Sequence, residues 1–592
     1  MTNATQPAAV VQSATTPRRW MAYISTAILG PALLLVIVEI ALRAGGVGFP
    51  SSVMVPCTIQ GSPASCYNIF FSAPFFPPGM IRTPAMYSVP AEKRGGTFRI
   101  VVLGESAAKG DPEPAYGFSR YLEVMLKERF PDMNFEVINT GSVAINSHVS
   151  LLIAKELAKY HHPDLFIIYS GNNEVIGPYG PGTALASSTM SLPVIRASIF
   201  LRSTRTGQLL TKVGTQKREW RGMEMFLDKQ VRASSPLMKP AYENFESNLR
   251  DTIAAARGAG AMVIVSTVAT NLKDCAPFAS LHREDLPQDT LRSWSELVQQ
   301  GGNQESAGAY GEALKLYLAA ETIDGQYAEL EFRIARCLWM LKDYPAAKQH
   351  FIRARDLDTL RFRADSKINE VNRAVASASQ GVALVDAEEI FSGESPNAVI
   401  GSELVYEHVH MTPEGSYLLA RAMFRQIGDK LEAKAGHAPT DADVPSQADC
   451  ERLLALTGHD RHRVTMQMLQ RVQKPPFTNQ LNHSEQVMRL MIKASAASES
   501  PGETAAQYQW ALARRPDDRT LHYNYGLFLF EHDRAAAAEQ FRMSRPWDGF
   551  PVMMPDGMLV ERLEAAPGLP AAPGRTETAR SGPAIQKTPY MN

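Results

Sequence analysis

The chain has 592 residues, 45% hydrophobic and 20% charged, a globular composition with room for about three or four folding units. Its 60 Lys and Arg against 61 Asp and Glu leave a formal charge of -1, which gives no electrostatic reason to bind nucleic acid.

In chain order, residues 20–42 are almost wholly apolar, interrupted by Pro31 and Glu39, and about 20 such residues let a helix cross a bilayer. Arg18 and Arg19 precede the stretch and only Arg43 follows closely. The positive-inside bias therefore predicts a cytoplasmic N-terminus over residues 1–19, a single-pass anchor, and an extracytoplasmic remainder that is periplasmic in a Gram-negative cell. A cleaved signal peptide is the alternative, but the stretch exceeds an ordinary signal core and no small-x-small cleavage site follows it. The surroundings of the Arg pair match a twin-arginine signal poorly. Pro, Gly and Ser punctuate residues 43–95, which predicts an irregular lead. Within it, Cys57 and Cys66 bracket a short loop that a disulfide could close, in keeping with export. Five cysteines leave one unpaired: Cys337, inside an apolar helical pattern, reads as a buried thiol, which leaves Cys275 and Cys450 as a candidate long-range pair.

From residue 98 a strand-then-helix rhythm begins. Apolar runs at 98–103, 135–138, 164–169, 262–268 and 382–385 alternate with helical patterns such as 119–130, 149–160 and 242–257. This predicts five parallel strands in an α/β/α sandwich, split into residues 96–285 and 361–435. Between the halves, residues 286–360 carry a period: Tyr310, Ala313, Tyr317 and Ala320 recur 34 positions later as Tyr344, Ala347, Phe351 and Ala354, the tetratricopeptide repeat length. These positions are expected to pack helices and to carry no chemistry. Residues 436–563 read as helical, with a less regular hairpin around Tyr508, Ala511, Tyr525, Gly526 and Phe541; the Ala/Pro/Gly-rich tail 564–592 reads as disordered.

Candidate chemistry gathers where strands end. Ser106, in Gly104-Glu105-Ser106, lies where a strand turns toward a helix, so backbone amides are available to stabilise negative charge. Gly141, in Asn139-Thr140-Gly141, follows the next strand and allows close approach of its amide to a substrate oxygen. Asn173, in Gly171-Asn172-Asn173-Glu174, follows the third and offers a side-chain amide donor. After the last strand come Glu407 and His410, three apart, a spacing that lets a carboxylate hold one imidazole nitrogen while the other faces a serine. Asp386 is the reserve acid. Each block alone reads as a turn glycine, a cap or a helix-start histidine; their shared placement does not. The histidine pairs 161–162 and 408/410 lack a clear third ligand at metal-binding spacing, and no metal or other cofactor is expected.

These four ordered blocks resemble the SGNH (GDSL-type) hydrolase family over residues 97–185 and 240–430, the inserted repeat excluded. The resemblance implies a flavodoxin-like α/β/α fold with Ser106 as nucleophile and His410 as general base. It places the oxyanion hole at the amides of Ser106 and Gly141 with the Asn173 side chain. Glu407 stands where the family usually has Asp, as do Glu105 and Glu174 beside the serine and asparagine. The implied function is an extracytoplasmic serine esterase acting on O-acyl esters, with an acylated carbohydrate of the envelope as the expected substrate. An acyltransferase passing the acyl group to a sugar is the enzymatic alternative. A non-catalytic assembly protein, with a partner on the helical repeats, is the alternative of another class.

Overall fold

The computed structural model describes residues 17–556 and 559, apart from 78, 186–190, 215–218 and 436–443. Its centre is a five-stranded parallel sheet of β4 (Thr97–Gly104), β5 (Asn134–Asn139), β6 (Leu165–Tyr169), β7 (Met262–Ser266) and β8 (Val382–Val385), ordered β5-β4-β6-β7-β8. That order is the flavodoxin-like one. Every residue of β4 and of β6 is buried, as strands sandwiched between helical layers must be. The helices Ser147–Tyr160, Met238–Gly258 and Ser366–Ala378 pack together on one face, and Phe118–Arg129 with Pro413–Ala435 on the other. The expected three-layer α/β architecture is therefore present, and all five strand ends open on one edge.

The lead over 43–95 departs from its expected irregularity. It forms an antiparallel sheet of β1 (Met54–Ile59), β2 (Ser62–Tyr67) and β3 (Ser88–Pro90). Gln60 and Gly61 both take positive φ, 49° and 75°, which makes the two-residue turn whose twist suits a hairpin. A disulfide joins Cys57 to Cys66 across it. Cys275, Cys337 and Cys450 are buried free thiols, so the candidate Cys275–Cys450 pair does not exist. Gln480 Nε2 instead contacts Cys275 Sγ, and Cys450 faces the carbonyl of Pro445.

Residues 286–360 form two helical hairpins, Gln288–Ser306 with Tyr310–Ile323 and Ala328–Met340 with Tyr344–Leu357. The periodic residues Ala313, Tyr317, Ala320, Ala347, Phe351 and Ala354 are all buried. After Pro413–Ala435, six more helices from Gln447–Leu453 to Arg534–Met543 complete the described chain; the tail 564–592 lies outside the described residues.

Pro17–Ala44 is one helix, although the side chains of 17–26 and 28, which include eight positions of the expected span at 20–42, lie outside the described residues. Among the described residues, no helix is long and apolar enough to cross a membrane. The end of this helix is fastened to the body: Glu39 accepts from the backbone N–H groups of Arg205 and Thr206 at 3.0 and 2.9 Å. Phe49 exchanges two hydrogen bonds with the Gln208 side chain.

Candidate active site

The chain leaves β4 through Gly104, where an added Cβ would fall 2.0 Å from the Tyr169 carbonyl oxygen. No other residue fits so close to β6. The turn places Ser106 at the start of the short helix Ser106–Lys109. Gly141, after β5, packs on that helix so tightly that a Cβ would lie 2.5 Å from the Lys109 amide nitrogen. Glu407 and His410 arrive on the loop between β8 and Pro413–Ala435, closed by hydrogen bonds between Tyr406 and His410 and between Thr412 and Leu404.

The structure brings the three expected residues into one chain of hydrogen bonds. His410 Nε2 lies 2.8 Å from Ser106 Oγ, and His410 Nδ1 meets Glu407 Oε1. The extra methylene of Glu relative to Asp is accommodated because the carboxylate folds back on its own loop, accepting from the amides of His408 and Val409. Burial opposes ionisation of Glu407, but His408 and His410 outweigh it and hold the carboxyl well below the ordinary range. All three residues are at least nine-tenths buried.

The expected oxyanion donors also sit on this edge. The Gly141 N–H donates to Asn139 Oδ1 at 2.9 Å, and Asn173 Nδ2 donates to the Ile145 carbonyl at 3.0 Å, which uses one of its two amide protons. Glu105 and Glu174 face inward. Glu105 accepts from Ser170 Oγ and the Gly171 N–H; Glu174 accepts from the Ser147 N–H and Oγ. Burial raises them to about 7 and about 8, with Glu105 adding to the rise at Glu174. Asp386 lies elsewhere: it caps Ala387–Glu394 and pairs with Arg373 at 2.6 Å.

Three more residues surround the imidazole, and two of them, Asp111 and Arg471, carry no signal in the local sequence. His408 stands edge-on to His410 with ring centroids 5.3 Å apart, its Nδ1 against the second Glu407 oxygen. Glu407, His408 and His410 thus place three potential ligand atoms within 4.8 Å, the third donor that sequence spacing did not show. However, the Glu407 carboxylate already engages both imidazoles, and His410 Nε2 engages Ser106. Asp111, in the turn after Ser106–Lys109, puts Oδ2 3.3 Å from His410 Nε2. Arg471, in the last turn of Gly458–Val472, reaches in from the C-terminal helices. Its Nη1 is 2.5 Å from Asp111 Oδ2, 3.1 Å from His410 Nδ1 and 3.7 Å from Glu407 Oε1. Beside them a shallow cavity lies between the two parts of the chain, lined by Ala107, Asp111, Tyr406, Met411 and Val464 among others.

No protein-family model and no curated protein matches the sequence. Among solved structures, 56% of the chain is similar to the whole of an acetyl xylan esterase at 10% identity and a TM-score of 0.27. Similarly, 57% is similar to 96% of a catalytic mutant of an acetylxylan esterase from Geobacillus stearothermophilus, at 13% identity and a TM-score of 0.26. Likeness at this level decides neither fold nor chemistry, which rest on the sheet order and the side-chain geometry above.

Proposed function

We propose that this chain is a membrane-anchored, extracytoplasmic serine esterase of SGNH type that hydrolyses an O-acyl ester through an acyl-Ser106 intermediate. The observation that carries the reading is the continuous path from Ser106 Oγ through His410 to the buried Glu407 carboxylate. As Oγ attacks the acyl carbon, His410 Nε2 takes its proton, and Glu407 holds the Nδ1–H and stabilises the imidazolium. The oxyanion is received by the Ser106 amide, the second Asn173 amide proton and the Gly141 N–H, which exchanges Asn139 for the substrate oxygen. Collapse expels the alcohol, protonated by His410; a water deprotonated by the same imidazole then releases the acid and frees Ser106.

Two observations support the anchored, exported setting. Leu33, Leu34, Leu35, Val36 and Ile37 are 54–62% exposed, and at about 100° per residue five successive positions cover the whole helix circumference. Nothing in the described chain shields residues 33–37, whereas lipid would. The Cys57–Cys66 disulfide suits an oxidising compartment. That setting favours O-acyl groups on an envelope or secreted polysaccharide as substrate.

The test is turnover of short-chain p-nitrophenyl esters and acetylated oligosaccharides by the wild type, Ser106→Ala and Asn173→Ala. Ser106→Ala should abolish turnover and Asn173→Ala should lower kcat by about 10²–10³. Full activity in a folded Ser106→Ala protein would sink the reading. With a sugar acceptor supplied, transfer of the acyl group in place of its release would convert the assignment to acyltransferase.

A further inference from the structure

The catalytic imidazole stands between two carboxylates, Glu407 at Nδ1 and Asp111 at Nε2, with one guanidinium close to both. We propose that Arg471, delivered by the C-terminal helices, is a positioning residue that balances these carboxylates, so that His410 rests neutral and becomes positive only as Ser106 attacks. This assignment rests on the esterase reading above.

In the resting site Nε2 must be unprotonated to receive the Ser106 proton. Two anions against one imidazole favour the imidazolium, which cannot act as a base. Arg471 Nη1 lies 2.5 Å from Asp111 Oδ2 and 3.7 Å from Glu407 Oε1, so one positive charge offsets both. When the proton moves from Oγ to Nε2, Asp111 Oδ2 is already 3.3 Å away to accept from the new N–H. The Asp111 contribution therefore appears mainly after proton transfer, which is the condition for lowering the barrier rather than tightening the ground state. Burial would protonate Asp111, but the Arg471 guanidinium beside it outweighs the burial and holds the carboxyl below its ordinary range. The other titratable and charged groups nearby are His408, which touches Glu407 and whose pKa burial lowers, Lys109 facing Asp111, and Arg363 facing His408.

The experiment measures the pH dependence of p-nitrophenyl acetate kcat/KM and of the rate at which a fluorophosphonate labels Ser106. It uses the full-length protein with Arg471→Met, Arg471→Lys and Asp111→Asn. Arg471→Met should move the acid limb of both profiles upward by about 1–3 pH units. Arg471→Lys should return the limb toward its wild-type position. Asp111→Asn should move it downward and lower the plateau of kcat/KM. A folded Arg471→Met protein that is slower across all pH with its acid limb unmoved would show a purely structural arginine and overturn the proposal. Should Arg471→Met fail to fold, an acid limb unmoved in Asp111→Asn would overturn it equally. Wild type that neither turns over the ester nor takes up the probe would overturn the esterase reading and this proposal together, a result distinct from an active enzyme with an insensitive limb.

Discussion

At the scale of single residues, the acids of the candidate site differ sharply in environment. Glu407 is ionised and surrounded by donors, whereas Glu174 is buried with Glu105 nearby and its pKa lies at about 8 against an ordinary 4.5. Between about pH 4.5 and 8 the folded protein keeps a proton at Glu174 that the unfolded chain has released. Stability therefore falls as pH rises through this window, at up to about 1.4 kcal/mol per pH unit. Glu174→Gln removes that contribution, so its urea midpoint should decline less than wild type between about pH 5 and 8; an equal decline would show that Glu174 does not titrate there. The sequence displayed Ser106, Glu407 and His410 because each follows a strand end or lies three positions from its partner. Asp111 and Arg471 were not legible, since nothing local connects a turn after the first core strand to a helix more than 350 residues later.

Secondary-structure elements carry a different lesson. The core strands were readable because burial on both faces demands uninterrupted apolar runs, as in Val101, Val102 and Leu103. The β1–β3 sheet was hidden because its strands contain Pro56 and Pro63 and alternate only loosely, while its turn uses Gln60 in a conformation normally left to Gly or Asn. Gly141 has a structural duty beyond any oxyanion contact. Gly141→Ala forces a Cβ to within 2.5 Å of the Lys109 amide and should cost about 1–3 kcal/mol of stability while displacing the Ser106 helix. Thermal unfolding and esterase turnover should fall together. Unchanged melting with lost turnover would mean that the glycine serves the amide alone. Opening the hairpin disulfide with Cys57→Ser should cost about 2–3 kcal/mol, as expected for so short a loop, read as a lower denaturant midpoint.

At the scale of the molecule, the C-terminal helices are part of the α/β unit's interior. Arg463 bridges Glu113, from the turn beyond Ser106, to buried Asp460; Arg120 pairs with Asp518; Tyr508 donates to Asp460 at 2.8 Å. Removing one member of such a network leaves its partner charged and dry. Arg463→Ala should therefore destabilise by about 3–5 kcal/mol, visible as an earlier denaturant midpoint, and a loss under about 1 kcal/mol would mark the pair as solvent-compensated. The helical character of residues 447–543 was readable from the sequence; their docking was not, because ion pairs across folding units leave no periodic trace.

Glu39 ties the last turns of the N-terminal helix to the backbone at Arg205 and Thr206, and Phe49 is clasped by Gln208 just beyond. With that helix seated in a bilayer, the catalytic body would stand on a post rather than swing on a leash. The opening beside Ser106 would keep a constant height and heading above the lipid, so it would sweep a thin layer parallel to the membrane. Polymer strands running through that layer would be in reach, and those beyond it would not.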